Sequence, residues 1–577
     1  SQLLQDEGSI LEETSNGYIE RDQQGTASSY NYNYWSSPVS PAGMPNNSPY
    51  TVETVLRDGT NSATPIPLVF NYQYHFADGS YSGAKRISTF WLHVFTNRLS
   101  NTYSQWQKVK ESGEIKTAEG YSMKGTSGAA AISDRQNYVF VGKPHNGDIS
   151  LKLDVGNDYL VGNPYPSAID GYQFILDNIK ESGGNNDQNV FNGTLYFWDH
   201  FSGKTHYLQE YVGGYATLNL SGGIEAVATD SRINATGERA QVKPERYIPV
   251  GQAFYVSTKL APELEDLTTV SGGDISFRNS QRQFETDNQP DDSSVFKSQE
   301  NSKPQNKISD ARQKIYLRFH SPEGYNRQLL VTKDPYTTTG FDLGYDAPMI
   351  ENNKEDMYWM ISDVRFVIQG VPDFDIPREL PLGFRVKEEG EIIIKIDKLL
   401  NIPDDMGIYL KDNTTGRTHD LRASSFEGTA VSGPTEGRYS IVFENVEETT
   451  EEGPKEEIPT EGETGEETTE ETEETGPEET EGAETGTDIG QEPIENKPLE
   501  LSLSYSGKNS EILIKNPEGS KLSRGILYNV LGQVLNEYSN ISSDPTVVIP
   551  VGSRAAGVYL FKLEGEEISK TVRFILE

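Results

Sequence analysis

The chain has 577 residues and a formal net charge of −38, with 88 Asp and Glu against 50 Lys and Arg and no cysteine. That charge excludes a nucleic-acid groove or an anionic membrane surface as the main partner. The missing thiols exclude disulfide scaffolds, thiolate zinc sites and cysteine nucleophiles.

No run of 18 apolar residues occurs, so no stretch is long enough to cross a membrane as a helix. The 31 Tyr and 22 Phe, with abundant Gly, Asn, Ser and Thr, favour many short strands joined by turns. The opening SQLLQDEGSILEETSNG lacks a basic and then apolar leader pattern, so residues 1–27 read as a junction with an upstream region.

From residue 28 to 285 the texture is β-rich. SSYNYNYWSSPVS, STFWLHVFTN, NYVFVGKP, GTLYFWDH and YIPVGQAFYVST alternate or carry aromatics, cut by Gly, Pro and Asn. One helix is expected over 172–182, where Phe174, Ile175 and Ile179 recur near helical spacing. Residues 286–311 are polar and Pro-containing and read as a linker. A second block over 312–446 carries seven or eight strand signals, enough for one sandwich. Within it DNTTG is a hairpin turn whose Asn and Gly tolerate positive φ.

Residues 447–488 hold 19 acidic residues against one lysine, contributing −18 and leaving −20 for the rest. The stretch 447–497 reads as a disordered, self-repelling tether. Residues 498–577 then pack six or seven strand signals into a small sandwich. The expected fold is all-β, with several β-sandwich domains of jelly-roll or immunoglobulin-like type and a small terminal one.

Motifs for chemistry are broken. In GYSMKGTSG, Lys124 precedes Gly125, so the phosphate-loop frame fails and a structural turn is favoured. GTSGA puts Ser127 where a nucleophile elbow would, but Ala129 replaces the second Gly and no helix follows. His75, His93, His145, His200, His206, His320 and His419 form no tight ligand pair, so structural or surface roles are favoured over zinc. Asp342 and Asp346 in DLGYDAP, and NDQN at 186–189, offer oxygens of the kind Ca²⁺ accepts, with a hydrogen-bonded turn as the default. The aromatic runs LYFWDH and YNYNYWSS are candidate stacking platforms for a sugar, although alternate strand residues belong to the core.

The end of the chain carries a resemblance. ILYNVLGQVL (526–535) places Gly532 and Gln533 in a G-[QK]-x-[VL] pattern, Gly557, Val558 and Tyr559 give GVY, and Lys570 and Arg573 lie in KTVRFIL. These resemble the type A C-terminal sorting domain of proteins exported by the type IX secretion system of Bacteroidota, with the family's closing basic pair split here. Residues 28–446, with YNYNYWSSPV, VGNPYPSAID, GTLYFWDH, IPVGQAFYV and LPLGFRV, look like a region upstream of such domains in flavobacterial surface proteins. The resemblance implies display outside the cell or on its surface. It implies as partners a translocon and an outer-membrane carrier, with a strand at the chain end offered to that machinery.

The reading is a non-enzymatic, adhesin-like or stalk segment without a cofactor, possible calcium aside, and with a glycan or surface ligand as further partner. Two rivals are an accessory region of a secreted hydrolase and a fragment of a gliding-motility adhesin.

Overall fold

Where apolar and polar residues alternate between turn residues, the chain forms paired strands. Ile149–Leu153 buries residues 149, 151 and 153 and exposes 150 and 152, in antiparallel register with Gly273–Phe277. The computed structural model describes residues 2–10, 12, 14–79, 81–99, 105–132, 134–181, 183–229, 243–265, 267–285, 310–375, 377–443, 502–506, 511–516, 521–529, 534–539, 541–551, 557–565 and 569–576. The protein is all-β and falls into two compact units, Ser1–Glu451 and Glu452–Glu577.

The first unit begins earlier than residue 28. Ile19–Thr26 pairs over eight residues with Arg135–Pro144, Leu3 N donates to Pro166 O at 2.9 Å, and Arg282 Nη1 donates to Gln5 Oε1 at 3.0 Å. The expected junction is therefore part of the fold. Its strand, IERDQQGT, hides in the sequence because its buried positions include Gln23 and Thr26.

Tyr32–Trp35, Tyr121–Lys124, His93–Val94 and Gln107–Lys108 form a four-stranded sheet. It packs Trp35, Tyr121 and Met123 against Tyr138 and Phe140 of the neighbouring sheet. A six-stranded sheet follows, in the order Gly222–Ile224, Val212–Asn219, Leu195–Phe201, Ala253–Ser257, Asn157–Gly162, Arg98–Leu99. The expected helix is present as Gly171–Asn178, its N-terminus capped by the Asp170 side chain accepting from Tyr172 N and Gln173 N. Phe174, Ile175 and Ile179 are fully buried against one face of the six-stranded sheet. The helix stops before Ile179, which is already extended.

The block from 312 is one eleven-stranded sheet, wider than the seven or eight expected strands. Two of the extra strands, Ala347–Pro348 and Thr418–Asp420, are too short to show alternation. The sheet curls over its own core: Phe426, on the strand ending the path, lies 5.9 Å from Tyr439 of the third strand from the other end. The DNTTG hairpin joins Tyr409–Asp412 to Thr418–Asp420, with Gly416 at φ +73°.

Lys314–His320 and Asn326–Lys333 are buried at nearly every position because both of their faces are covered. One face meets the sheet's own core. The other meets the first block, where Asn326 N donates to Ala228 O at 3.0 Å and Thr332 Oγ1 to Ser221 O at 2.9 Å. Both blocks thus share one unit. Most of the expected linker, 286–309, lies outside the described residues, as does the acidic stretch 447–497.

Backbone meets backbone where Gly193 faces Gly344. Gly193 sits at φ +75°, and a Cβ there would lie 2.4 Å from Gly344 Cα. Gly193→Ala is therefore expected to cost about 2 kcal/mol or more, from the left-handed backbone and the forced separation together. Urea unfolding measures it, and a loss below about 0.5 kcal/mol would mean the contact yields freely.

The second unit is a sandwich of two sheets. Ser502–Ser506, Glu511–Lys515 and Thr546–Pro550 form one, and Val534–Ser539, Leu522–Asn529, Gly557–Gly565 and Ser569–Leu576 the other. Ile512, Ile514, Leu527, Ile549, Phe561 and Leu563 fill the space between them.

Candidate functional site

The period of two gives the six-stranded sheet two different faces. Leu195, Phe197, Ala216, Leu218, Phe254, Val256, Tyr159 and Val161 enter the core beneath the helix. Their neighbours in sequence, Tyr196, Tyr215, Ala253, Tyr255 and Leu160, gather on the opposite face with Phe95. Tyr34 and Trp106 close over that face: Trp106 lies 5.7 Å from Tyr34, 5.6 Å from Phe95 and 6.0 Å from Tyr255.

The result is an aromatic cleft made of two adjoining cavities that share Trp106 and Tyr215. One, of about 710 Å³, reaches Asp158, Ser257, Glu351, Arg365 and Glu436. The other, of about 290 Å³, is lined by Tyr32, Tyr34, His93, Trp198 and Tyr211 among others. Both fall in or at the edge of the ~300–1,000 Å³ range of small-molecule sites. The two aromatic runs singled out in the sequence, some 160 residues apart, meet here. Tyr32 and His200 rings are 5.5 Å apart, and Trp198 and Tyr215 are 5.0 Å apart. As the alternation requires, Trp35 and Phe197 from the same runs are core residues.

Polar groups of the cleft are oriented. Ser257 Oγ donates to Asp158 Oδ1 at 2.6 Å. Glu351 accepts from Tyr215 N at 2.7 Å and from Arg327 at 3.2 Å, and burial pushes its carboxyl up despite that arginine. Tyr358 OH and Arg365 both donate to Glu436 Oε1, each at 2.8 Å.

Beside the smaller cavity sits a constellation missed in the sequence. Lys124 Nζ donates to Tyr211 OH at 2.5 Å, lies 3.0 Å from His206 Nδ1, and rests 3.7 Å over the Trp91 ring. His206 Nε2 is 3.1 Å from both Asp78 oxygens. Burial lowers the Lys124 amine to about 7, with Asp78 working the other way, and burial followed by Lys124 lowers His206.

At 4% exposure Lys124 is closed off from a ligand, so the group acts as a buttress for Tyr211 and Tyr32 rather than as a nucleophile. Lys124 ends the buried strand Tyr121–Lys124, so the expected turn begins only at Gly125. The signal available was a lysine in step with the buried Ser122 of an apolar strand.

Asp346 accepts from Asp342 N at 2.6 Å and Gly370 N at 2.7 Å, and burial pushes its carboxyl well above the usual range. Asp342 accepts from Thr338 N and Oγ1. These carboxylates are capped turn residues whose oxygens already hold donors. Among the described residues no group of three or more His, Asp or Glu is placed to hold a metal ion.

Of the terminal residues, Gly557, Val558 and Tyr559 open the strand Gly557–Gly565, and Tyr559 is buried in the core. Lys570 and Arg573 lie in Ser569–Leu576, registered opposite Leu563 and Leu560. Gly532 and Gln533 lie outside the described residues.

Fold and cleft together define an all-β protein of two units, the first holding an aromatic, carboxylate-rimmed site. Residues 1–443 match the family described as Domain of unknown function (DUF8693). The chain belongs to that family. No curated protein matches it.

Proposed function

We propose that this chain is a non-enzymatic, adhesin-like protein displayed outside the cell or on its surface. Residues 498–577 serve as its type IX sorting signal, and a translocon and outer-membrane carrier are its partners. The observation that carries this reading is the position of Ser569–Leu576. Among the described strands it pairs with a single neighbour, Gly557–Gly565, at the edge of its sheet. An edge strand offers a row of backbone donors and acceptors that a receptor can extend. The unit has its own core, so it can fold and be gripped apart from the passenger.

The test is localisation in a type IX-competent host that also exports a known cargo. Two fusions, each with a fluorescent protein at the N-terminus, are compared: the full chain, and the chain ending at residue 497. Surface or medium fluorescence from the full chain alone is the expected result. Export of both, or of neither while the known cargo is exported, would overturn the assignment.

A further inference from the structure

We propose that the cleft of the first unit binds an uncharged hexose oligosaccharide, with Trp106 and Trp198 as its stacking surfaces. This does not depend on how the chain is exported. A pyranose presents an apolar C–H face and a rim of hydroxyls, so its site needs flat rings with oriented polar groups at their edges. Both are here. Of the five tryptophans, Trp35, Trp91 and Trp359 are buried in the fold. Trp106 and Trp198 are only partly buried, and both line the cleft.

Charge selects among ligands. The larger cavity is lined by Asp158, Glu263, Glu351, Asp363 and Glu436 against Lys259 and Arg365, and Arg365 is already paired with Glu436 at 2.8 Å. A phosphate, sulfate or uronate would enter against that field. A purely aliphatic ligand would cover carboxylate rims and offer them no donor in place of water, which is costly. Hydroxyl groups satisfy them, because a carboxylate accepts O–H bonds that are short and charge-assisted. Glu436 shows the arrangement: it lines the cavity and its protein donors converge on Oε1, which leaves Oε2 as an acceptor for a hydroxyl. Two joined cavities accommodate more than one sugar ring, so an oligosaccharide is favoured over a monosaccharide.

The experiment uses the full chain, with tryptophan fluorescence and calorimetric titration. The probes are neutral gluco-, manno- and galacto-oligosaccharides, an oligogalacturonate and a chitosan oligomer. At least one neutral series is expected to bind and shift the fluorescence, with the uronate inert. Trp106→Ala and Trp198→Ala should each weaken binding by about tenfold or more, the loss typical of an anchoring aromatic. The Phe variants should retain part of it. Thermal midpoints identify any variant that has lost its fold, and the other position and the Phe variants then decide. Absence of binding by every neutral series to the folded chain overturns the proposal. So does binding untouched by either Trp→Ala change, uronate binding tighter than neutral binding, or chitosan-only binding that salt abolishes.

Discussion

Arg327→Ala is expected to destabilise the first unit by about 3–5 kcal/mol, the usual cost of leaving a buried charge without its partner. Arg327 and Asp356 side chains are each 1% exposed. The guanidinium forks onto Asp356, Nε to Oδ1 at 2.6 Å and Nη2 to Oδ2 at 2.8 Å, and Nη2 also reaches Glu351 at 3.2 Å. Burial works against the arginine's charge, but Asp356 and Glu351 more than offset it and its pKa is raised. Alanine would strand Asp356 in an interior that cannot solvate it and leave Glu351, at the cleft wall, without its arginine.

Arg327→Lys keeps the charge and loses the planar fork, so it should recover part of the loss and not all of it. Replacing Arg327 and Asp356 together by Met and Leu should cost less than Arg327→Ala alone, because Asp356 is no longer orphaned and only Glu351 loses its arginine. Urea unfolding of the full chain separates these outcomes. A single-variant loss below about 1 kcal/mol would mean that water reaches the pair. Because Glu351 also lines the cleft, the same variant should weaken ligand binding.

The all-β character was legible because strands such as Ile149–Leu153 and Glu511–Lys515 bury one face and show it by strict alternation. The helix at Gly171–Asn178 was legible from Phe174 and Ile175. Arg318 and Arg327 were not. In KIYLRFH and NRQLLV a charged residue reads as solvent-facing, yet both strands are covered on two sides, and Arg318 pairs with Glu225 at 3.1 Å and Asp397 at 2.7 Å.

Local sequence reports the period of a strand and not what lies across its second face. The same limit hid the cleft. Tyr34, Trp106, Trp198 and Tyr215 come from four segments, and only the pairing of their strands puts them around one space. The runs supplied the candidate rings, and the topology decided which of them face the cavity. Lys124 escaped for a related reason: its partners His206 and Tyr211, and the Asp78 that holds His206, lie on two distant segments.

Acidification should destabilise the first unit between about pH 6.5 and 4 through two buried histidines. His145 is wholly enclosed, with Nδ1 2.9 Å from Pro164 O and Nε2 3.0 Å from Ser40 Oγ. Burial lowers it to about 4, against the raising effect of hydrogen bonds to the Pro164 and Ser37 backbone. His93 is also lowered to about 4, by burial first, with the Trp91 backbone opposing and Lys108 reinforcing.

The unfolded chain protonates these rings near their ordinary value of 6.5, while the folded chain resists until about 4. Across that window the unfolded state binds more protons, so stability is fully present above pH 6.5 and declines as pH falls. A shift of that size corresponds to about 3 kcal/mol per histidine by pH 4.

Buried carboxylates act with the opposite sign. Glu225, Asp342, Asp346 and Glu351 have raised values, each through burial first, and regain stability as they protonate. The histidine contribution is therefore read as a difference between proteins. His145→Asn retains a donor at the Nδ1 position, and its unfolding free energy should fall less than wild type from pH 7 to 4.5. The double change with His93→Asn should flatten the curve further. Parallel curves for wild type and double variant would mean that these rings accept protons inside the fold as readily as outside it.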